Sequence, residues 1–196
     1  SSPSNGGETE EQNTDFEVAN NPCENNLAAD LYPCSNLSLY AHLTPTDLGG
    51  QQVNDIWGWF DIETSKEYAL VGLTDGVSFV DVTNPNQPIV VGKLVESDLP
   101  SKYNSFNLND FPACNIGLGT STTAKMVTQG STWRDMKVFN THMFVVSDGQ
   151  IHGMQVFDLT RLRAYEGDIM QFKEDALYNV LGNAHNIAIN EATGFG

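Results

Sequence analysis

The sequence predicts an all-β chain built from four-stranded units of the β-propeller type, and three observations carry that expectation. Short runs rich in Val, Ile, Phe, Trp and Tyr follow one another through the body of the chain, the composition of half-buried strands. Gly, Pro, Asn or Asp stands at nearly every boundary between them, as tight turns require. The strand pattern then repeats itself further along the chain.

The first unit covers residues 53–95. It reads NDIWGWFDI, the turn ETSK, EYALVGLT, Asp75-Gly76, VSFVDVT, the turn NPNQP and IVVGKLV. Its second strand is expected over 67–74 and its third over 77–83. Val77, Phe79 and Val80 precede Asp81 without clean alternation, so the third strand should be buried on both faces. Asp75-Gly76 suits a two-residue hairpin because both residue types accept positive φ. Residues 96–130 form an insertion without periodicity of its own. Loops of that length are usually functional or mobile.

The second unit, 131–182, reads STWRDMKVF, Asn140-Thr141, HMFVVSD, GQIH and GMQVFDLT, with strands expected over 142–148 and 153–160. Leu73-Thr74-Asp75-Gly76 matches Val146-Ser147-Asp148-Gly149, and Phe79-Val80-Asp81-Val82-Thr83 matches Val156-Phe157-Asp158-Leu159-Thr160. Asp81 and Asp158 should cap the turns that follow them. A third unit starts at 183–196, AHNIAINEATGFG, where Ile187 to Asn190 resembles an inner strand and Glu191-Ala192-Thr193-Gly194 repeats the turn at 63–66.

Tandem four-stranded units are the signature of a propeller, whose blades bury their faces against one another. A sandwich explains the strands but not the repeat. Propellers close with four or more blades of ~40–50 residues, so the propeller within this chain is expected to be incomplete. The remaining blades would follow in a longer protein or be supplied elsewhere, and an open edge would need further blades or copies to cover it.

Residues 1–21 read as a flexible acidic linker with two isolated apolar anchors, Phe16 and Val18. Residues 22–50 follow as a clamped segment. Cys23 and Cys34 bracket CENNLAADLYPC, and a disulfide between them would tie down a stretch with little core of its own. Cys114 is left over. A zinc site is poorly supported, since no CxxC pair occurs. Cysteine usage of this kind fits an exported protein. The absent initiator Met implies a removed signal peptide or a late start.

The chain holds 25 acidic and nine basic residues, a net charge of −16, and residues 1–65 contain no Lys or Arg. Clustered cations are what nucleic acids and anionic membranes demand, so neither is an expected partner. No apolar run approaches the ~20 residues of a membrane span. The acidic surface is compatible with calcium association, and no other cofactor is expected. No GxSxG, HExxH, P-loop, GxGxxG or EF-hand motif occurs.

The strings NDIWGWFDIETSKEYALVGLTDGVSFVDVTNPNQP, STWRDMKVFNTHMFVVSDGQIHGMQVFDLTRLR and GNAHNIAINEATGFG resemble the choice-of-anchor B family of LVIVD-repeat proteins. CENNLAADLYPCSNLSLYAHL resembles the family's leading segment. The resemblance implies a secreted or cell-surface bacterial β-propeller with no established catalytic activity. The later His- and Asp-rich blades expected in the family are not in this chain, and Cys114 lies in an insertion with no match.

Propeller geometry gathers the starts of the inner strands on one face. That face should hold Asn54 and Asp55, then Trp133, Arg134 and Asp135, then His185 and Asn186, with Asp75, Asp148 and His152 from neighbouring loops. Arg134 should bond a carboxylate of this set or an anion, and Trp57, Trp59 and Trp133 are expected to be packing aromatics. No catalytic or metal-ligating residue is assigned. The leading functional expectation is an extracellular binding or scaffold module for a protein or surface glycan. The alternatives are a metal-dependent hydrolase or lyase at the channel mouth, with His152 or His185 among its ligands, and a subunit of an extracellular polymer.

Overall fold

The computed structural model describes residues 19–97, 131–149 and 152–196. Cys114 and most of the insertion lie outside them. The described chain is nearly all β. A short hairpin of two-residue strands, β1 (Leu27–Ala28) and β2 (Tyr32–Pro33), sits in the clamped segment. The first large sheet holds β3 (Val53–Asp61), β4 (Lys66–Leu73), β5 (Gly76–Asp81) and β6 (Ile89–Val95). The second holds β7 (Arg134–Phe139), β8 (His142–Ser147), β9 (Met154–Asp158) and β11 (Ala176–Tyr178). Each is antiparallel in chain order, and neither closes on itself. β5 is buried along its whole length, Ser78 included, in line with its lack of clean alternation.

Two features were not legible in the sequence. A 3-10 helix, Leu159–Ala164, follows β9 and buries Leu159 and Leu162. The chain then reaches back, and β10 (Met170–Phe172) adds to the outer edge of the first sheet, parallel to Gly92–Leu94 of β6. Gly92 permits this approach, because a Cβ there would lie 2.6 Å from the Phe172 ring and 2.9 Å from the Met170 carbonyl. The second unit thus covers the edge of the first, which would otherwise expose unpaired backbone groups.

The two large sheets stack around Leu70, Phe79 and Leu94 from the first and Met136, Val145 and Phe157 from the second, with Phe79 and Phe157 stacked 5.0 Å apart. Register aligns the units independently of sequence. Tyr68 pairs with Asp81 and His142 with Asp158, so Val71 corresponds to Val145 and Val80 to Phe157. Val71 and Val80 face away from the second sheet, into a smaller cluster with Leu48. Val145 and Phe157 face the first sheet. Equivalent positions therefore point the same way, and the front of one sheet packs on the back of the next.

The same register moves two of the expected matches by one residue. Leu73 corresponds to Ser147, not Val146, and Asp148 takes the place of Thr74. The Thr74 and Asp148 amides each bond the carbonyl just ahead of an inner strand, at Gln52 and Trp133. Gly76 corresponds to Gly153 rather than Gly149. Both have positive φ, and a Cβ on either would strike the outer strand, at the Leu94 carbonyl (2.2 Å) or the Tyr178 carbonyl (2.7 Å). The loop between β4 and β5 is Thr74-Asp75, and Asp75 does not take positive φ.

In the third unit, Ile187 to Asn190 forms no ladder, only an Asn190–Phe195 bridge. Its turn superposes on 62–65 rather than 63–66. Asn190 Oδ1 accepts from Ala192 N as Asp61 Oδ1 accepts from Glu63 N, and Gly194 and Ser65 both have positive φ. Asp81 and Asp158 cap their turns as expected, accepting from Thr83 N and Thr160 N at 3.0 Å.

The Cys23–Cys34 disulfide is formed. Asn20, at the end of the stretch read as a linker, bonds Asn86 through both its backbone and its side-chain amide. No helix among the described residues is long and apolar enough to cross a membrane.

Candidate functional site

The site is built where the starts of β3 and β7 meet an irregular segment of the third unit. Asn54-Asp55-Ile56 follows Val53 at the start of β3, Arg134-Asp135-Met136 opens β7, and His185-Asn186-Ile187 lies beside them in the third unit. Short polar residues occur there because the backbone leaves the ladder and its N–H groups need acceptors. Asn54 Oδ1 accepts from Arg134 N at 2.9 Å, and Asp135 Oδ2 accepts from Ile187 N at 2.8 Å. Each unit's strand start thereby ties down the next.

Asn54, Asp55, Trp133, Arg134, Asp135, Lys137, His185, Asn186 and Ile187 line one open cavity of roughly 520 Å³. Asp135 is buried at its floor. Burial opposes its ionisation, but the Lys137 ammonium, the Ile187 amide, the Asp55 carboxyl and the Asn186 amide outweigh that and hold its carboxyl below the usual range. Lys137 Nζ lies 2.5 Å from Asp135 Oδ1 and 4.2 Å from the centre of the Trp57 ring. Asp55 reaches the same carboxyl, and its Oδ2 is screened from solvent without a hydrogen-bond partner. At the rim, Asp148 Oδ2 meets His185 Nδ1 at 2.7 Å.

The Arg134 guanidinium and His152, both expected on this face, lie beneath it. Arg134 and His152 are buried between the sheets. Arg134 Nε donates to the Leu73 carbonyl at 3.0 Å, Nη2 to Glu96 Oε2 at 2.9 Å and Nη1 to His152 Nε2 at 2.8 Å. Its carboxylate is therefore Glu96, at the start of the insertion, and not Asp55 or Asp135. His152 Nδ1 lies 2.9 Å from the Gly153 carbonyl, so Nδ1 carries the proton and Nε2 accepts. Burial first, and the Arg134 charge second, push His152 down to about 4. Burial likewise raises Glu96 against the pull of Arg134. His152 is thus a neutral acceptor for a buried cation, and is separated from the Asp148–His185 pair despite their closeness in sequence.

Trp133 departs from its expected packing role. It is 55% exposed, whereas Trp59 is in the core and Trp57 packs against it. Asp75 lies away from the cavity and pairs with Lys93 at 2.9 Å. Reasoning from sequence missed Lys137 and Glu96. Lys137 could have been found as the residue two beyond Asp135 on one strand face, but nothing local marks Glu96. Among the described residues, no three His, Cys, Asp or Glu side chains are grouped to hold a metal ion.

A second cavity, roughly 510 Å³ and apolar, runs along the back of the first sheet between Leu43, Leu48, Ile56 and Val71. No known protein family, curated protein or solved structure matches the chain.

Proposed function

We propose that this chain is part of a secreted or cell-surface β-propeller of the choice-of-anchor B type, and that it binds a partner through the face where the inner strands start. The observation that carries this reading is the gathering of the β3 and β7 starts and of His185, Asn186 and Ile187 around one polar cavity with an exposed Trp at its rim. Head-to-tail stacking supports the propeller, since a rotational array is what places equivalent residues on equivalent faces. The open back of the first sheet supports further blades or copies. Ile56 is 61% exposed where its counterpart Met136 is fully buried. The disulfide is compatible with an exported location.

The donor geometry favours binding over a metal-dependent hydrolase or lyase. Lys137 occupies the place beside Asp135 that a cation would take, and His152 accepts from Arg134 instead of facing the cavity. The test is binding of the full chain to arrays of surface proteins and glycans. Saturable binding lost in Trp133→Ala, with unchanged melting, supports the reading. Hydrolytic or eliminating turnover lost in Asp135→Asn, with stability intact, overturns it.

A further inference from the structure

We infer that the inner-strand cavity is a saccharide site, in which one pyranose ring stacks on Trp133 while its hydroxyls bond the cavity floor; this rests on the binding reading above. An indole left 55% exposed beside a concave site offers a flat apolar surface with a negative π face. The C–H groups on one side of a pyranose ring carry slight positive charge and match that face.

The polar lining narrows the ligand further. Asp135 already accepts from the Lys137 ammonium and the Ile187 amide, so an anion would find both donors taken and a cation would have to displace a bonded ammonium. A purely apolar ligand would strip water from these groups without replacing it. What remains is a neutral molecule that has one apolar face and an edge of hydroxyls.

The unused hydrogen-bonding groups fit that edge. Asp55 Oδ2 has no donor, and a turn about the soft terminal torsion of the side chain presents it to the cavity. Asn54 spends its Oδ1 on Arg134 N, and its Nδ2 has no acceptor among the described residues. Asn186 spends its Nδ2 on Asp135 and leaves Oδ1. Donor and acceptor groups side by side suit hydroxyls, each of which both gives and takes a hydrogen bond. The cavity, at roughly 520 Å³, lies within the usual range for small-molecule sites.

The experiment titrates the full chain with neutral methyl pyranosides and their short oligosaccharides, following indole fluorescence and calorimetry. Saturable binding by at least one neutral sugar is expected. Trp133→Ala should weaken it by about tenfold, the scale of one aromatic contact, and Trp133→Phe should restore part of it. Asp55→Asn should alter which sugar is preferred, with the melting temperature checked in parallel. If no neutral sugar binds while an arrayed protein binds in a Trp133-dependent way, the saccharide inference fails and the binding-module reading stands. If nothing binds and a turnover depends on Asp135, both fail.

Discussion

Replacing Gly76 with Ala should be among the most damaging single-methyl changes in the first sheet. The new Cβ would sit 2.2 Å from the Leu94 carbonyl oxygen, about 1 Å inside an ordinary C···O contact. Leu94 belongs to β6, whose ladder with β5 fixes that oxygen. The backbone at φ +152° is also one that L side chains rarely adopt, a strain of about 1–3 kcal/mol. Pushing β6 away would add one or two ladder bonds at about 1 kcal/mol each. The sum is about 2–5 kcal/mol, a large share of a domain's usual stability. Gly153→Ala should cost about 2–3 kcal/mol, because its φ of +70° is left-handed and its Cβ would lie 2.7 Å from the Tyr178 carbonyl. Gly58→Ala is the control. Nothing lies within 4 Å of a Cβ there, and the change should be neutral or stabilise by about 0.5–1 kcal/mol. Urea unfolding followed by tryptophan fluorescence measures all three. A Gly76→Ala protein within about 1 kcal/mol of Gly58→Ala would refute the close approach and, with it, the equivalence of Gly76 and Gly153.

Other outcomes follow from the same geometry. His152 is held at about 4 in the folded chain, below its unfolded value, so the stability it contributes is complete above about pH 6.5 and is lost as pH falls toward 4. The loss is at most about 3 kcal/mol, offset in the acid range by Glu96, whose raised carboxyl acts with the opposite sign. His152→Gln, which keeps an acceptor for Arg134, should flatten the pH dependence of chemical denaturation. Arg163 grips Asp61 through Nε and Nη2, both at 2.7 Å, and this fork holds the Asp61 carboxyl down at about 2. Because Arg163 is 27% exposed, solvent screens the pair, and Asp61→Asn should cost about 1–2 kcal/mol at neutral pH. That cost should vanish as pH drops from about 4 to 2, which thermal melts at stepped pH would show. Reducing Cys23–Cys34, eleven residues apart, should cost the clamped segment about 3 kcal/mol. Faster proteolysis within residues 19–43, with the sheets still folded, is the expected readout.

The local rules of the chain were legible in its residues. Val, Ile and aromatic runs bounded by Gly and Asp could only be strands, because half-buried ladders and tight turns each demand those residue types. The repeated Asp81-Val82-Thr83 and Asp158-Leu159-Thr160 announced their turns, since a short carboxylate can reach the amide two residues ahead. The pairing of Cys23 with Cys34 was readable from two cysteines bracketing a short segment with little core of its own, and the grouping of Asp55, Asp135 and Asn186 from their places in the repeat. Register was not. Val146 and Ser147 are equally acceptable partners for Leu73 by composition, and only the ladder to β9 chooses between them. The parallel addition of Met170–Phe172 to β6 depends on a notch at Gly92 nearly eighty residues earlier. The fate of Arg134 depends on Glu96, thirty-eight residues away, and on His152. A sequence specifies what each short stretch prefers, because backbone and side-chain preferences act over a few residues. Which distant surface meets that stretch, and so which charge is buried and which indole is left in solvent, is decided when the sheets stack and water is driven from between them.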